Sequence, residues 1–213
     1  MIANAWREWV YNRKKPRESQ TMSAVLNLKP LSMEEYLAME RAAEFKNEYV
    51  DGHIRAMTGA SREHTLLAFN IAGILAPQLK NRPCEAYLND MRVKAELARS
   101  YRYPDVAVVC EPPRFEDGCF DTLLNPTLLV EILSPSTELI DRGEKFSGYR
   151  LIPSLREYLL IAQNAPCIER YARQDNGGWL LTVTEGLDST VNLEAIDCAL
   201  PLREAYYRVL PEA

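Results

Sequence analysis

The hydrophobic and polar positions near the start of the chain predict a helix followed by a hairpin. Ser32 stands three residues before Glu35, the spacing of a capping box, and predicts a helix that continues to about Glu44. Two short strand-like runs follow over 47–57. They meet at Asp51-Gly52, a residue pair that favours the tight turn of a β-hairpin.

A second, longer helix is predicted to begin after Ser61, whose hydroxyl suits the capping position. The run Asn81-Arg82-Pro83 ends it, because proline cannot continue a helix. Between these limits apolar residues recur every three or four positions and form one stripe, the pattern of a helix that packs on a core: Leu67, Ile71, Ile74, Leu75 and Leu79.

From Cys84 onward, short apolar runs rich in β-branched residues predict strands. Ser136 or Thr137 is the expected cap of a later helix. We expect strands at 85–96, 105–110, 128–133, 157–163 and 190–193, helices at 139–151 and 202–207, and a hairpin around Asp175-Asn-Gly-Gly. This order predicts an α/β or α+β fold, with a central mixed β-sheet flanked by helices.

The length of 213 residues is enough for a full hydrophobic core, and we expect a single domain over 30–213. Residues 1–21 contain several arginines and lysines but no continuous apolar core, so they do not resemble a signal peptide. Met22 follows this polar segment at once. We therefore expect 1–29 to be an N-terminal tail, either disordered or an extension from an upstream start codon, rather than a nucleic-acid-binding arm.

Composition and charge narrow the range of functions. The chain is 47% hydrophobic and 26% charged, as in ordinary globular proteins. Its net charge of -5 argues against broad coating of nucleic acid, which needs a basic surface. A nuclease stays open, because a bound divalent cation supplies local positive charge. The longest apolar stretch, 66–76, is too short to span a membrane, so no membrane partner is expected.

The five cysteines are widely scattered: Cys84, Cys110, Cys119, Cys167 and Cys198. Their odd number and the lack of a Cys-x-x-Cys pair suit a reducing cytoplasm and indicate neither a zinc site nor a disulfide framework. We expect a cytoplasmic protein in which Cys110, at the end of an apolar run, packs as a small hydrophobe.

Two carboxylates stand in or beside apolar runs that are otherwise typical of buried strands. Asp105 begins one run and Glu131 lies within another, where each is costly unless it meets a cation or hydrogen-bond donors. If the two strands are neighbours, the oxygens come together and suit Mg²⁺ or Mn²⁺. Each acid also has an alternative to a metal-binding role. Glu131 would then lie on an edge strand and face water or an arginine, and Asp105 would simply begin a strand, since Pro104 precedes it.

Lys145 arrives from the next predicted helix and shares a helix face with Tyr149, four residues later. A lone lysine on a helix is usually solvated. Beside two carboxylates and a metal ion, however, its amine would orient the attacking water and stabilise charge that develops on a phosphate.

Together, Asp105, Glu131 and Lys145 resemble the catalytic set of the PD-(D/E)XK nuclease superfamily. More narrowly, the chain resembles the bacterial Uma-two family of restriction-endonuclease-like proteins. The resemblance covers about 30–210 and rests on segments in the following order: Met33-Glu-Glu-Tyr-Leu, Glu48-Tyr-Val-Asp-Gly, Ser61-Arg-Glu-His, Asp90-Met-Arg-Val, Tyr103-Pro-Asp-Val, Val130-Glu-Ile-Leu-Ser-Pro-Ser-Thr, and Glu144-Lys-Phe with Tyr149.

The resemblance implies a restriction-endonuclease-like core in which Asp105 and Glu131 bind Mg²⁺ or Mn²⁺. The usual superfamily lysine stands two residues after the glutamate, where this chain has Leu133. The resemblance therefore implies that the lysine has moved to Lys145.

Three further residues are candidates for supporting roles. The resemblance implies that Glu48 lines the site, with a plain hairpin acid as the alternative. His64 begins the apolar stripe of the second helix, and we favour a packed or capping histidine over a catalytic base. Tyr149 is a candidate through its place on the Lys145 helix face.

The predicted function is a divalent-metal-dependent endonuclease that hydrolyses phosphodiester bonds of DNA. The alternative is a catalytically inactive scaffold or nucleic-acid-binding module with the same fold, which the acidic net charge and the missing on-strand lysine favour slightly. A homodimer would suit cleavage of both strands of a duplex. The sequence leaves open DNA against RNA and any target sequence.

Overall fold

The N-terminal part of the fold is a capped helix and a hairpin. The computed structural model describes residues 30–57 and 59–210, so the tail expected at 1–29 lies outside the described residues. Helix α1 (Met33–Ala42) begins at Ser32 with the predicted capping box. Strands β1 (Asn47–Val50) and β2 (His53–Ala56) pair antiparallel across Asp51-Gly52. Both turn residues have positive φ, 42° and 92°, which explains why Asp-Gly is suited to this position.

The second predicted helix is α2 (Arg62–Leu79), and Ser61 caps it by accepting a hydrogen bond from the His64 amide. The helix expected at 139–151 is built from three consecutive pieces: α3 (Glu138–Ile140), a π-helical turn (Asp141–Lys145) and α4 (Phe146–Tyr149). We call these pieces together the 138–149 segment. A last short helix, α5 (Leu202–Ala205), lies within the predicted range.

The main sheet has six strands in the order β11-β10-β9-β8-β6-β3. It is mixed, as predicted, because β8 and β9 run parallel while the other neighbours are antiparallel. Its strands are β3 (Glu85–Leu88), β6 (Val106–Val109), β8 (Leu128–Leu133), β9 (Glu157–Ala162), β10 (Cys167–Arg173) and β11 (Trp179–Glu185).

A second sheet of five strands has the order β2-β1-β5-β4-β7, and a separate pair is formed by β12 and β13. The strands not yet defined are β4 (Arg92–Ala95), β5 (Ser100–Arg102), β7 (Thr122–Leu123), β12 (Thr190–Leu193) and β13 (Cys198–Pro201). The prediction of one strand over 85–96 is wrong. A turn at Asn89-Asp90 separates β3 from β4, and the two strands join different sheets.

Hydrophobic side chains cover both faces of the main sheet, and the alternation of β8 assigns its residues between them. Val130 and Ile132 pack on the side that holds α2. Leu129 and Leu133 pack on the opposite side, which holds the 138–149 segment. The alternation along β8 thus separates its two faces, and it sets Glu131 on the face of the 138–149 segment.

The cysteine prediction is wrong in one respect: Cys84 and Cys110 form a disulfide. The antiparallel register that sets Glu85 opposite Val109 brings the two flanking cysteines together, and a separation of 26 residues gives no hint of this pairing. Cys110 does pack against the α2 side of the core, but as half of this bond. No helix within the described residues is both long enough and apolar enough to cross a bilayer.

Candidate active site

Glu131 receives two hydrogen bonds from one helix face. Lys145 Nζ donates to its Oε2 at 2.8 Å, and Tyr149 Oη donates to its Oε1 at 3.0 Å. All three side chains are buried. The 138–149 segment packs on the side of the sheet that bears Glu131, so its lysine points at the acid rather than into solvent. This contact brings together three residues that the sequence singled out.

The ammonium group of Lys145 is surrounded by carboxylates. Besides Glu131, Asp141 Oδ1 lies 3.0 Å and Glu48 Oε1 lies 3.5 Å from Nζ. Asp141 belongs to the site, although from the sequence alone it would be assigned to loop or turn chemistry. It stands one turn before Lys145, within the π-helical turn, and its side chain is 2% exposed. A helix places residues four apart on one face, so Asp141 is aimed at the same amine.

A buried arginine, Arg102, holds the next acid in place. Its guanidinium donates to Glu48 Oε2 at 2.7 Å and to Glu144, and its side chain is 2% exposed. Glu48 is buried as well and faces Lys145, although it lies on a strand of the β1–β2 hairpin. Arg102 is a site residue that the sequence did not predict. The available signal was an arginine between Tyr101 and Tyr103, inside a strand pattern where a cation needs a partner.

Asp105 stands immediately before β6, close to the predicted strand start. The antiparallel register pairs Val106 with Val130, so extending it by one residue sets Asp105 opposite Glu131 of β8. Asp105 Oδ2 accepts the backbone N–H of Ile132 at 2.7 Å. Its Oδ1 lies 2.7 Å from His64 Nε2. His64 therefore reaches the site from α2 as the partner of Asp105.

Burial and charge act in opposite directions on the two central groups. Burial raises the pKa of Glu131 well above its ordinary value, and the nearby Asp141, Asp105 and Glu48 raise it further, although Lys145 opposes them. Burial by itself would lower the pKa of Lys145, but the carboxylates around it, Glu131 first, raise that pKa above its ordinary value. The site thus contains a protonated amine among more acids than it can neutralise.

The Uma2 family, which carries the description "Putative restriction endonuclease", matches residues 33–203 of the chain. The chain belongs to the Uma2 family. This match confirms the family resemblance seen in the sequence and covers most of its 213 residues.

Two relatives from a strain of Synechocystis are similar to this Uma2 chain over most of their length. The uncharacterized protein sll1609 is 38% identical over 170 residues, which is 80% of this chain and 96% of the relative. The uncharacterized protein slr1290 is 38% identical over 151 residues, 71% of this chain and 78% of the relative.

A solved structure supports the fold. The crystal structure of a protein from Anabaena variabilis, described as "a putative nuclease belonging to DUF820", matches with a TM-score of 0.67 at 21% identity. The match covers 85% of this chain and all of the other. The predicted restriction-endonuclease-like core, with a mixed sheet flanked by helices, is therefore confirmed for this Uma2 protein.

The donor chemistry of the Uma2 site suits a hard divalent cation. Two buried carboxylate oxygens, Glu48 Oε1 and Asp141 Oδ1, face the Lys145 ammonium as ion pairs but accept no hydrogen bond from the residues that the structure describes. Acids outnumber the two buried cations Lys145 and Arg102, and a divalent ion would offset that excess. Over 30–57 and 59–210, however, no three His, Cys, Asp or Glu side chains lie in an arrangement that would hold a metal ion. To bind the ion, Asp105 or Glu131 would have to exchange one of its present hydrogen bonds for it.

Proposed function

We propose that this protein is a divalent-metal-dependent endonuclease that hydrolyses phosphodiester bonds of DNA. The observation that carries the proposal is the 2.8 Å contact between Lys145 Nζ and Glu131. Lys145 thus provides the amine that the superfamily's usual lysine would provide, because this chain has Leu133 at that lysine's position. The description of the Uma2 family and that of the Anabaena protein both name nuclease activity, and they support the reaction class.

In this proposal Asp105 and Glu131 hold Mg²⁺ or Mn²⁺ through their carboxylate oxygens. The bound ion would supply an acidified water and positive charge at the phosphate. Lys145 orients the nucleophile and stabilises the negative charge that develops on the phosphoryl oxygens. Tyr149 fixes Glu131 through its hydroxyl, and His64 fixes Asp105, so neither acid has to reorganise during the reaction.

Glu48 has an electrostatic role in the proposal. Its Oε1 faces Lys145 at 3.5 Å while Arg102 holds its Oε2, so it adds negative charge beside the amine. That charge favours the protonated form of Lys145, which is the form that stabilises an anionic transition state.

Two further parts of the proposal concern the setting of the enzyme. A homodimer would present two sites to the two strands of a duplex through a two-fold axis. A cytoplasmic location would give the protein access to cellular DNA.

An inactive scaffold or nucleic-acid-binding module is the second candidate, and one observation favours it. Both oxygens of Glu131 and both oxygens of Asp105 already have hydrogen-bond partners in the protein. In that role the acids and Lys145 would be a buried structural network, and the protein would neither bind a divalent ion nor cleave DNA.

The decisive experiment is cleavage of supercoiled plasmid, linear duplex and single-stranded DNA with Mg²⁺ or Mn²⁺. Wild type is compared with Asp105→Asn, Glu131→Gln and Lys145→Met, each checked for folding by circular dichroism. Lys94→Met is the matched control, because Lys94 is also largely buried and paired with acids, Glu116 and Glu96, outside this site.

We expect each of the three site variants to lose at least about a hundredfold in cleavage rate while Lys94→Met stays near wild type. Equal cleavage by wild type and all variants would indicate a contaminating nuclease and remove the support for this site. No cleavage by wild type, together with no Mn²⁺ binding in calorimetry, would establish the scaffold instead.

A further inference from the structure

Strand β11 forms an open edge of the main sheet. Within the part of the chain that the structure describes, β11 pairs with β10 on one side and with no strand on the other. Its seven residues therefore present backbone N–H and C=O groups along the outer edge that have no partner in a ladder. Such an edge is a template for pairing with another strand. We therefore expect a partner that covers β11 to do so by adding a strand to the sheet.

The other edges of the two larger sheets have the protection that β11 lacks. Strands β2 and β3 are four residues long and β7 has two, whereas β11 has seven. In addition, β2 bears Arg55 and β3 bears Glu85. Short strands and charged side chains are common means of preventing edge-to-edge pairing. In contrast, β11 contains neither proline nor lysine, and its single charged residue, Glu185, stands at its last position.

Large apolar side chains of β11 are exposed on both faces of the sheet. Trp179 contacts Phe146 on the face of the 138–149 segment, and strand alternation places Leu181 and Val183 on that same face. Leu180 lies on the opposite face. All three aliphatic side chains are about half exposed. A strand that pairs with β11 must therefore cover apolar surface on both of its faces.

The sequence of β11 is complementary to itself under a two-fold axis through Thr182. In an antiparallel pair centred there, Leu181 of each copy faces Val183 of the other on one face of the sheet. On the other face Leu180 faces Thr184, and Thr182 faces its own counterpart. All seven residues of the strand then have a partner. A second copy of the chain thus covers the exposed aliphatic side chains on both faces.

The one charged residue of β11 also meets a cation in this register. Glu185 of one copy faces Trp179 of the other, on the same face of the sheet as Arg173, whose Cζ lies 4.7 Å from the centre of the Trp179 ring. Arg173 donates to three backbone carbonyls and has no acidic partner among the described residues. A glutamate from a second copy would supply that partner, and a two-fold axis makes the contact twice.

We propose that β11 is the contact surface of a homodimer, in which two copies of this chain pair their β11 strands antiparallel about Thr182. The two main sheets then form one continuous sheet. The inference goes beyond the proposed function, because the contact requires neither a metal ion nor DNA and does not depend on cleavage.

The first test measures the mass of the full chain in solution, without metal or DNA, by sedimentation velocity over about 1–100 µM protein. Val183→Lys places a charge where Leu181 of the other copy should lie. Leu88→Lys is the matched control, because Leu88 is also about half exposed and lies on β3, the opposite edge of the same sheet. Both substitutions are at exposed positions, and circular dichroism checks that each variant folds.

We expect a wild-type dimer with a dissociation constant on the order of 10 µM, because one strand pair is a small interface. Val183→Lys should raise this constant at least about tenfold, since it removes two symmetric apolar contacts and brings an ammonium group into each. Glu185→Lys should raise it about three- to tenfold, because it sets a second cation beside Arg173. Leu88→Lys should leave it unchanged.

The second test determines the register. Thr182→Cys places two thiols opposite each other, with a Cα separation of about 4.5–5.5 Å that suits a disulfide. Oxidised glutathione should link the two copies, because each new disulfide releases two protons and two electrons that reduce one glutathione disulfide to two thiols. Thr184→Cys is the control, since Thr184 faces Leu180 rather than its own counterpart. Wild type reports any link through the exposed Cys119.

A wild-type protein that stays monomeric at every concentration would overturn the inference. A dimer that is unchanged in Val183→Lys, or weakened equally in Leu88→Lys, would also overturn it, because the contact would then lie away from β11. Equally rapid linking of Thr184→Cys and Thr182→Cys would exclude the register about Thr182. A dimer that Val183→Lys dissociates, in a protein that cleaves no DNA with Mn²⁺, would support the inference and refute the proposed function alone.

Discussion

The network around Lys145 predicts that removing the cation destabilises the protein more than removing its main acid. Lys145→Met leaves Glu131, Asp141 and Glu48 facing an apolar side chain, each within 3.5 Å of the lost ammonium. Breaking a buried ion pair from one side costs about 3–5 kcal/mol, and here three acids lose one partner. We therefore expect a loss at the upper end of that range.

Glu131→Gln should cost less, about 1–2 kcal/mol. The amide oxygen still accepts a hydrogen bond, and the ammonium of Lys145 keeps the carboxylates of Asp141 and Glu48. The asymmetry follows from the geometry, because the amine contacts several acids whereas Glu131 contacts one amine and one tyrosine.

The cost of Lys145→Met should also depend on pH. Lys145 is the one named group that lowers the pKa of Glu131. Without its ammonium, burial and then Asp141, Asp105 and Glu48 remain, and all of them raise that pKa. A carboxyl group whose pKa is raised in the folded state favours folding at low pH, and that contribution is lost as pH rises through the folded pKa. The penalty should therefore be largest near about pH 8 and smaller near about pH 5.

The assay is urea unfolding in EDTA at both pH values for wild type, Lys145→Met, Glu131→Gln and the double variant, with Lys94→Met as the control for a buried lysine elsewhere. The midpoint and slope of each curve give the free energy of unfolding. A Glu131→Gln cost equal to or above that of Lys145→Met would refute the reasoning, as would a Lys145→Met penalty that does not change with pH.

Three other predictions concern residues around the site and the sheet. Arg102→Met should lower the free energy of unfolding by about 3–5 kcal/mol, because buried Glu48 loses the closer of its two cationic partners, and Arg102→Lys should lower it less; both are measured by urea unfolding. Reduction of Cys84–Cys110, or Cys84→Ser, should cost about 3.5 kcal/mol from the 26-residue loop, and calorimetry with and without reductant checks it. A side-chain hydrogen bond from Arg41 holds the pKa of Asp121 below its ordinary value. The charged form of Asp121 therefore stabilises the folded protein above the unfolded pKa, and this stabilisation is lost as pH falls through the folded pKa. Asp121→Asn should lower the free energy of unfolding by about 1 kcal/mol at neutral pH and reduce its dependence on pH in the acid range.

Local patterns were sufficient for much of the fold. The capping box at Ser32, the Asp51-Gly52 turn and the stripe on α2 were all found where the sequence predicted them. Each of these features depends on residues only a few positions apart, so the interactions that form it can be recognised in a short segment of the sequence. The same holds for the face assignment of Glu131, which follows from strand alternation alone.

The pairing of segments that are distant in the chain could not be predicted from local sequence patterns. The turn at Asn89-Asp90 splits one apparent strand between two sheets, and the local pattern does not state which partner each half will find. The disulfide of Cys84 with Cys110 depends on the same β3–β6 pairing. Packing across the whole core determines which strands pair. A run of strand-forming residues therefore does not indicate which strand it will lie beside.

The sequence by itself determined the family and the central mixed sheet, and it singled out Asp105, Glu131 and Lys145 as candidates. Only the tertiary structure decided what surrounds them: Arg102 behind Glu48, Asp141 against Lys145, and His64 on Asp105. The reason is electrostatic. A charged residue in an apolar stretch of sequence indicates that it needs a partner of opposite charge or a hydrogen-bond partner. That partner comes from another element, and only the folded chain brings the two within a few ångströms.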